Sequence, residues 1–126
     1  LILASIIEKE AAKDEERAHI AGVLVNRLNQ SIPLQVDPTV IYGLGETFDG
    51  DLKRKHLKLD GLYNTYTRKG LTPTPISNPG LSSLLAAINP IVTKDMFFVA
   101  RGDGSHEFSE TLDEHHRAVR KHQMRN

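Results

Sequence analysis

Glu8 and Glu10 stand in the opening run Leu1-Ile2-Leu3-Ala4-Ser5-Ile6-Ile7-Glu8-Lys9-Glu10-Ala11-Ala12, two acids in mainly apolar company. If the run is helical, the neighbours of Glu8 are Ala4, Ser5, Ala11 and Ala12, while Leu3, Ile6 and Ile7 point elsewhere. Short neighbours leave room for a ligand, and no basic residue occupies the N-terminal neighbouring positions. Desolvation by a surrounding core would raise the pKa of Glu8 and keep a proton on it near neutrality, as a general acid requires. The competing reading is a solvated acid that complements the positive end of the helix dipole. Glu10 lies about 200° round the helix from Glu8, so the two cannot form a paired-carboxylate site. It can pair with Lys13 at i+3 as an ordinary surface ion pair. Glu10 also projects beside Leu3, Ile6 and Ile7, so periodicity leaves open which acid matters. The expectation favours Glu8.

A second constellation is the loop Tyr63-Asn64-Thr65-Tyr66-Thr67, which holds two of the three tyrosines among amides and hydroxyls. Aromatic faces and planar amides suit a sugar, with its C–H faces and many hydroxyls; the alternative is a packed turn. Gln35 and Asp37 sit just before a helix start, where Asp37 reads as a cap first and a ligand contact second. The six histidines give no metal motif: His115 and His116 are adjacent and face different ways, and no His-Glu-x-x-His occurs. We expect no metal and no cofactor. Ser105 lies in a turn without a Gly-x-Ser-x-Gly elbow.

The elements that must position these groups follow from local signals. Residues 1–12 read as a helix, and Asp14 as the cap of a second running to about Leu28, with Ala18, Ala21, Val25 and Leu28 on one stripe. Ser31 to Val36 is extended. Asp37-Pro38 predicts a brief helix through Tyr42, stopped by Gly43 and Gly45. Turn formers dominate residues 46–80, with Asp51 capping a short basic helix through Leu57. Asn78-Pro79 predicts a helix through Ile88. Met96–Arg101 and Ser105–Ser109 flank Gly102-Asp103-Gly104 as a hairpin. Thr111-Leu112-Asp113-Glu114 is a capping box that opens the last helix. The sum is one α+β domain over residues 1–126, mainly helical, with a β-hairpin and long loops.

Composition narrows the function. Sixteen basic residues balance sixteen acidic ones, so no global field favours nucleic acid or an anionic membrane. The absence of cysteine removes disulfide and thiolate chemistry. No apolar stretch reaches the roughly 20 residues of a membrane span. Residue 1 already lies inside an apolar helical run without an initiator methionine, which predicts a segment of a longer polypeptide.

Several blocks, in order, resemble one family. Ala4-Ser5-Ile6-Ile7-Glu8-Lys9-Glu10, Leu34-Gln35-Val36-Asp37-Pro38-Thr39-Val40-Ile41-Tyr42-Gly43 and Tyr63-Asn64-Thr65-Tyr66 are similar to signature blocks of the endolytic murein transglycosylases (the MltG or YceG-like family). So are Gly70-Leu71-Thr72-Pro73, Ile76-Ser77-Asn78-Pro79-Gly80 and Phe98-Val99-Ala100 with His106-Glu107-Phe108. The resemblance implies a lytic transglycosylase that cuts the β-1,4 bond between N-acetylmuramic acid and N-acetylglucosamine within peptidoglycan strands, leaving 1,6-anhydro ends. It places the catalytic acid on Glu8 and the lining of a glycan cleft on Gln35, Asp37, Tyr63, Asn64, Thr65 and Tyr66. It further implies a role in cell-wall assembly and remodelling, ending the growth of nascent strands. The implied setting is the periplasmic side of the bacterial inner membrane, with a single-pass anchor and a LysM-like subdomain outside this segment, and peptidoglycan synthases as candidate partners. Thr72 departs from a common Gly-Leu-Pro-Pro, and Ala11 from a position often polar. The rival readings are a lysozyme-type hydrolase in which Asp37 or another acid activates water, and a non-catalytic peptidoglycan-binding module.

Overall fold

Ile6 and Ile7 are fully buried at the centre of the molecule. They lie on α1 (Ile2–Glu10), which ends because Ala11 adopts extended backbone. Glu10 is therefore the last helical residue, and the predicted helix is two residues too long. The structure is a computed structural model and describes residues 1–123.

Two helices clasp α1. On α2 (Arg17–Asn29), Ile20, Ala21, Val23 and Leu24 are buried, and each large apolar side chain removed from water contributes roughly 1.5–3 kcal/mol. The expected single stripe through Ala18 and Val25 is replaced by burial on two sides. One side meets α1 and α5 (Leu81–Ile88); the other is crossed by the chain between Ile91 and Asp95. Gly22 permits that crossing, since a Cβ there would stand 2.3 Å from the Ile91 carbonyl oxygen. Asp14 does not cap α2. It opens a 3-10 turn (Asp14–Glu16), and its Oδ1 accepts from Arg17 Nε at 2.8 Å.

Asp37 is the first residue of α3 (Asp37–Leu44), with Pro38 in the first turn and Gly45, at φ 57°, ending it. Gly43 is accommodated inside the helix rather than stopping it. The expected cap by the Asp37 side chain is absent, because that carboxylate is engaged elsewhere. Within the loop that follows, α4 (Arg54–Lys58) is closed by His56 Nδ1, which accepts from the Lys53 amide at 2.9 Å, not by Asp51.

The two strands β1 (Phe97–Ala100) and β2 (His106–Ser109) pair antiparallel, with Phe98 opposite Phe108 and Ala100 opposite His106. Gly102 and Gly104 carry positive φ in the turn, and Asp103 Oδ1 accepts from the Ser105 amide. One face of this hairpin packs on α6 (Leu112–Gln123). The capping box at its start is present, with Glu114 Oε1 accepting from the Thr111 amide and Thr111 Oγ1 from the Glu114 amide. The result is the expected α+β architecture, helices around a core from Ile6 to Ala86 and a small sheet laid against α2. No helix among the described residues is long and apolar enough to cross a membrane.

Candidate active site

The two acids of α1 leave the helix on different sides and meet different chemistry. Glu8 Oε1 accepts from the Gly80 amide at 3.0 Å and the Ser83 hydroxyl at 2.9 Å, with Arg17 Nη1 at 3.6 Å. Its carboxylate thus lies at the amino end of α5, where the helix dipole favours negative charge. It does the work expected of Asn78, whose residue precedes the helix by too much. The Gly80 amide and then the Ser83 hydroxyl, helped by Arg17, hold the Glu8 carboxyl below the usual range. This reverses the expected upward shift. The neighbours along α1 are small, as anticipated, but α5 fills the space they leave. Glu8 does not line the groove that gathers Gln35, Asp37 and Tyr66.

Glu10 does. It lines an open groove of about 280 Å3 together with Arg27, Gln35, Asp37, Tyr66 and Phe98. Gln35 reaches it from a left-handed backbone (φ 55°), a strained conformation for a side-chain-bearing residue, held by its amide donating to the Thr65 carbonyl at 3.1 Å. Tyr66 donates its hydroxyl to Asp37 Oδ1 at 2.5 Å. Burial, then this bond, pushes the Tyr66 phenol far above its ordinary range, so it remains a donor. Arg27 is buried in the groove wall, donating to the carbonyls of Met96 and Pro33 at 2.7 and 2.8 Å and lying over the Phe97 ring. Burial pulls its pKa down, although a guanidinium remains charged at any working pH.

Behind Glu10 stands His106, buried at 6% exposure. Its Nε2 lies 3.7 Å from Glu10 Oε1, and its Nδ1 lies 2.9 Å from Glu16 Oε1. Glu16 Oε2 also accepts from the His106 amide at 2.9 Å. The Glu10 carboxylate chiefly, with Glu16 assisting and burial opposing, raises the imidazole above its usual pKa. Burial alone would raise Glu16, but the two His106 contacts outweigh it and leave that carboxyl lowered.

The remaining sequence-predicted residues divide by what their polar atoms already do. Asn64 is buried; its Nδ2 donates to the carbonyls of Leu57 and Leu59, and its Oδ1 accepts from the Tyr66 and Thr67 amides. With both ends of the amide engaged, it organises the loop and has no free polar end to offer a sugar. Thr65 is likewise buried, its Oγ1 accepting from the Val36 amide and sharing a hydrogen bond with Thr39 Oγ1. That knot seats the tyrosine loop against the start of α3. Tyr63 turns away to Thr74 Oγ1 at 2.8 Å and tilts against Tyr42, apart from the groove. Thr72, where a proline was noted as common, is buried with its hydroxyl on the Thr74 carbonyl. Sequence reasoning passed over Arg27, Glu16 and His106. Strand alternation held a signal for the last, since it places His106 on the same face as Phe108.

The model of the YceG-like family matches residues 1–121. The chain belongs to the YceG-like family. Within it, a Bacillus subtilis protein named endolytic murein transglycosylase is 46% identical, over 97% of this chain and 34% of its own length. A Streptococcus pneumoniae protein of the same name is 34% identical, over 97% of this chain and 23% of its own length. The crystal structure of a YceG-like protein from Listeria monocytogenes superposes with a TM-score of 0.85 at 46% identity, covering 91% of this chain and 38% of that one. This YceG-like segment therefore spans about a third or less of the curated relatives it matches.

Proposed function

We propose that this chain is the catalytic part of an endolytic lytic transglycosylase that cuts peptidoglycan strands at the bond between N-acetylmuramic acid and N-acetylglucosamine. The observation that carries this reading is the position of Glu10, a partly shielded carboxylate in a groove with Gln35, Asp37 and Tyr66. The relatives named endolytic murein transglycosylases support the substrate class.

Glu10 protonates the departing glycosidic oxygen as oxocarbenium character grows on the muramyl ring. The carboxylate so formed takes the proton from the muramyl 6-hydroxyl, which attacks its own anomeric carbon and closes the 1,6-anhydro ring. The nucleophile is tethered to the substrate, so orientation replaces a positioned water and a second catalytic carboxylate is unnecessary. Gln35 and the Asp37–Tyr66 pair offer hydrogen bonds to sugar hydroxyls and acyl oxygens. Peptidoglycan lies outside the cytoplasm, so the catalytic part works on the extracytoplasmic face of the inner membrane, with strand synthases as natural partners.

Glu10→Gln and Glu8→Gln, compared side by side on un-nicked strands with product mass analysis, test the assignment. The expected result is loss of turnover in Glu10→Gln alone, with wild-type ends one water lighter than hydrolysed ends. Loss in Glu8→Gln alone would return the role to Glu8. Asp37 shares the groove with Glu10 and so favours one second reading, a lysozyme-type hydrolase. Ends carrying the added water would establish it. Binding without cleavage by wild type would leave a glycan-binding module.

A further inference from the structure

We propose that His106, oriented by Glu16, is a positioning residue that holds and returns the working proton of Glu10, so that carboxyl and imidazole act as one proton-sharing pair. The inference rests on Glu10 being the acid.

Three contacts carry it. Glu16 grips His106 twice, through Nδ1 and through the backbone amide, both at 2.9 Å. That double grip fixes the ring's rotation and places a hydrogen on Nδ1, leaving Nε2 as the open nitrogen. Nε2 then faces Glu10 Oε1 at 3.7 Å. Phe98 meets the ring edge-on, with centroids 5.4 Å apart, and Phe108 flanks it. Water has little access. The titratable and charged groups around the pair are Lys13 and Glu16 from the segment after α1, Arg27 from α2, His115 from α6, and Tyr66 with its partner Asp37 across the groove.

A carboxyl alone in an open groove would surrender its proton near the ordinary carboxylate range, about 4. Shared with an imidazole that is itself backed by a second carboxylate, one proton stays on the pair at higher pH. In the reaction that proton moves from Glu10 to the bridging oxygen as the bond to the anomeric carbon breaks. The 6-hydroxyl oxygen then bonds to that carbon, and its proton passes to Glu10 and the pair is restored. Protons balance within each turnover.

The test is the pH profile of kcat/KM on un-nicked strands, measured in the full-length protein for wild type, His106→Asn and Glu16→Gln. Asparagine sets its amide nitrogen where Nδ1 stood, keeping the grip of Glu16 while removing Nε2. The expected result is an alkaline limb moved down by at least one pH unit in His106→Asn, with kcat at neutral pH down at least tenfold and KM within about twofold. Glu16→Gln is expected to move the limb the same way by less. An unmoved limb in folded His106→Asn would reduce the trio to an anchor for the hairpin and overturn the proposal, while Glu10 remained the acid. Turnover surviving in Glu10→Gln would instead overturn the assignment of the acid to Glu10, on which this proposal rests. If His106→Asn fails to fold, NMR titration of the His106 imidazole decides. Its midpoint is expected to fall by at least one pH unit in Glu10→Gln, and no change would refute the sharing.

Discussion

Glu8 Oε1 accepts the backbone amide of Gly80, a residue 72 positions later that precedes α5. The acid favoured from the sequence thus joins two helices. Glu8→Ala is expected to lower stability by about 1–3 kcal/mol, the cost of leaving an amide and a hydroxyl without their acceptor. Activity per folded molecule is expected to persist. Denaturant unfolding and turnover on the same preparation check both.

The lowered carboxyls of Glu8 and Glu16 bind protons less readily folded than unfolded. Their contribution is present above the unfolded carboxylate pKa of about 4.3 and lost as pH falls through the lower folded values. His106 acts in the opposite sense. Its raised folded pKa contributes fully below the unfolded value of about 6.5 and fades as pH rises through the folded one. Stability is therefore expected to be greatest between roughly pH 5 and 6.5. Urea midpoints across pH should show this maximum, and Glu8→Gln should flatten its acid side.

Asn64→Ala removes both ends of an amide that holds the loop from Leu57 to Thr67. The expected loss is about 2–4 kcal/mol, several buried or half-buried backbone groups losing partners at once. Hydrogen exchange should quicken at the Tyr66 and Thr67 amides before it does on α2. Unchanged exchange there would show that the loop does not depend on this side chain.

Gly22→Ala forces a methyl against the Ile91 carbonyl, a backbone atom that cannot swing aside. A cost of about 1–3 kcal/mol is expected, despite alanine's better helix propensity. Thermal unfolding against Gly61→Ala, where a Cβ meets open space, gives the comparison.

Tyr66→Phe leaves Asp37 without its hydroxyl donor in the groove. Turnover is expected to fall about tenfold, equivalent to about 1.4 kcal/mol, with little change in melting temperature. Kinetics on defined strands measure it.

Signals confined to a few residues were legible. Gly102-Asp103-Gly104 marked its hairpin and Thr111 with Glu114 its helix start, because the partners lie within one turn. Asp37-Pro38 located α3 correctly but not the occupation of its carboxylate, since Tyr66 arrives from 29 residues away. The surroundings of Glu8 and Glu10 were illegible for the same reason. A helical wheel shows that they face apart, but not that Gly80 and Ser83 cover one side while His106 backs the other. For Asn64 the sequence left a sugar contact and a packed turn both open, and the structure shows it buried in a turn. Its side chain satisfies nearby backbone instead, a habit of asparagine in turns.

The grip of Glu16 on His106 spans 90 residues. A ribosome must therefore have made nearly all of this domain before the acid on α1 gains its imidazole. Until the hairpin docks, Glu10 and Glu16 stand without the ring that lies between them.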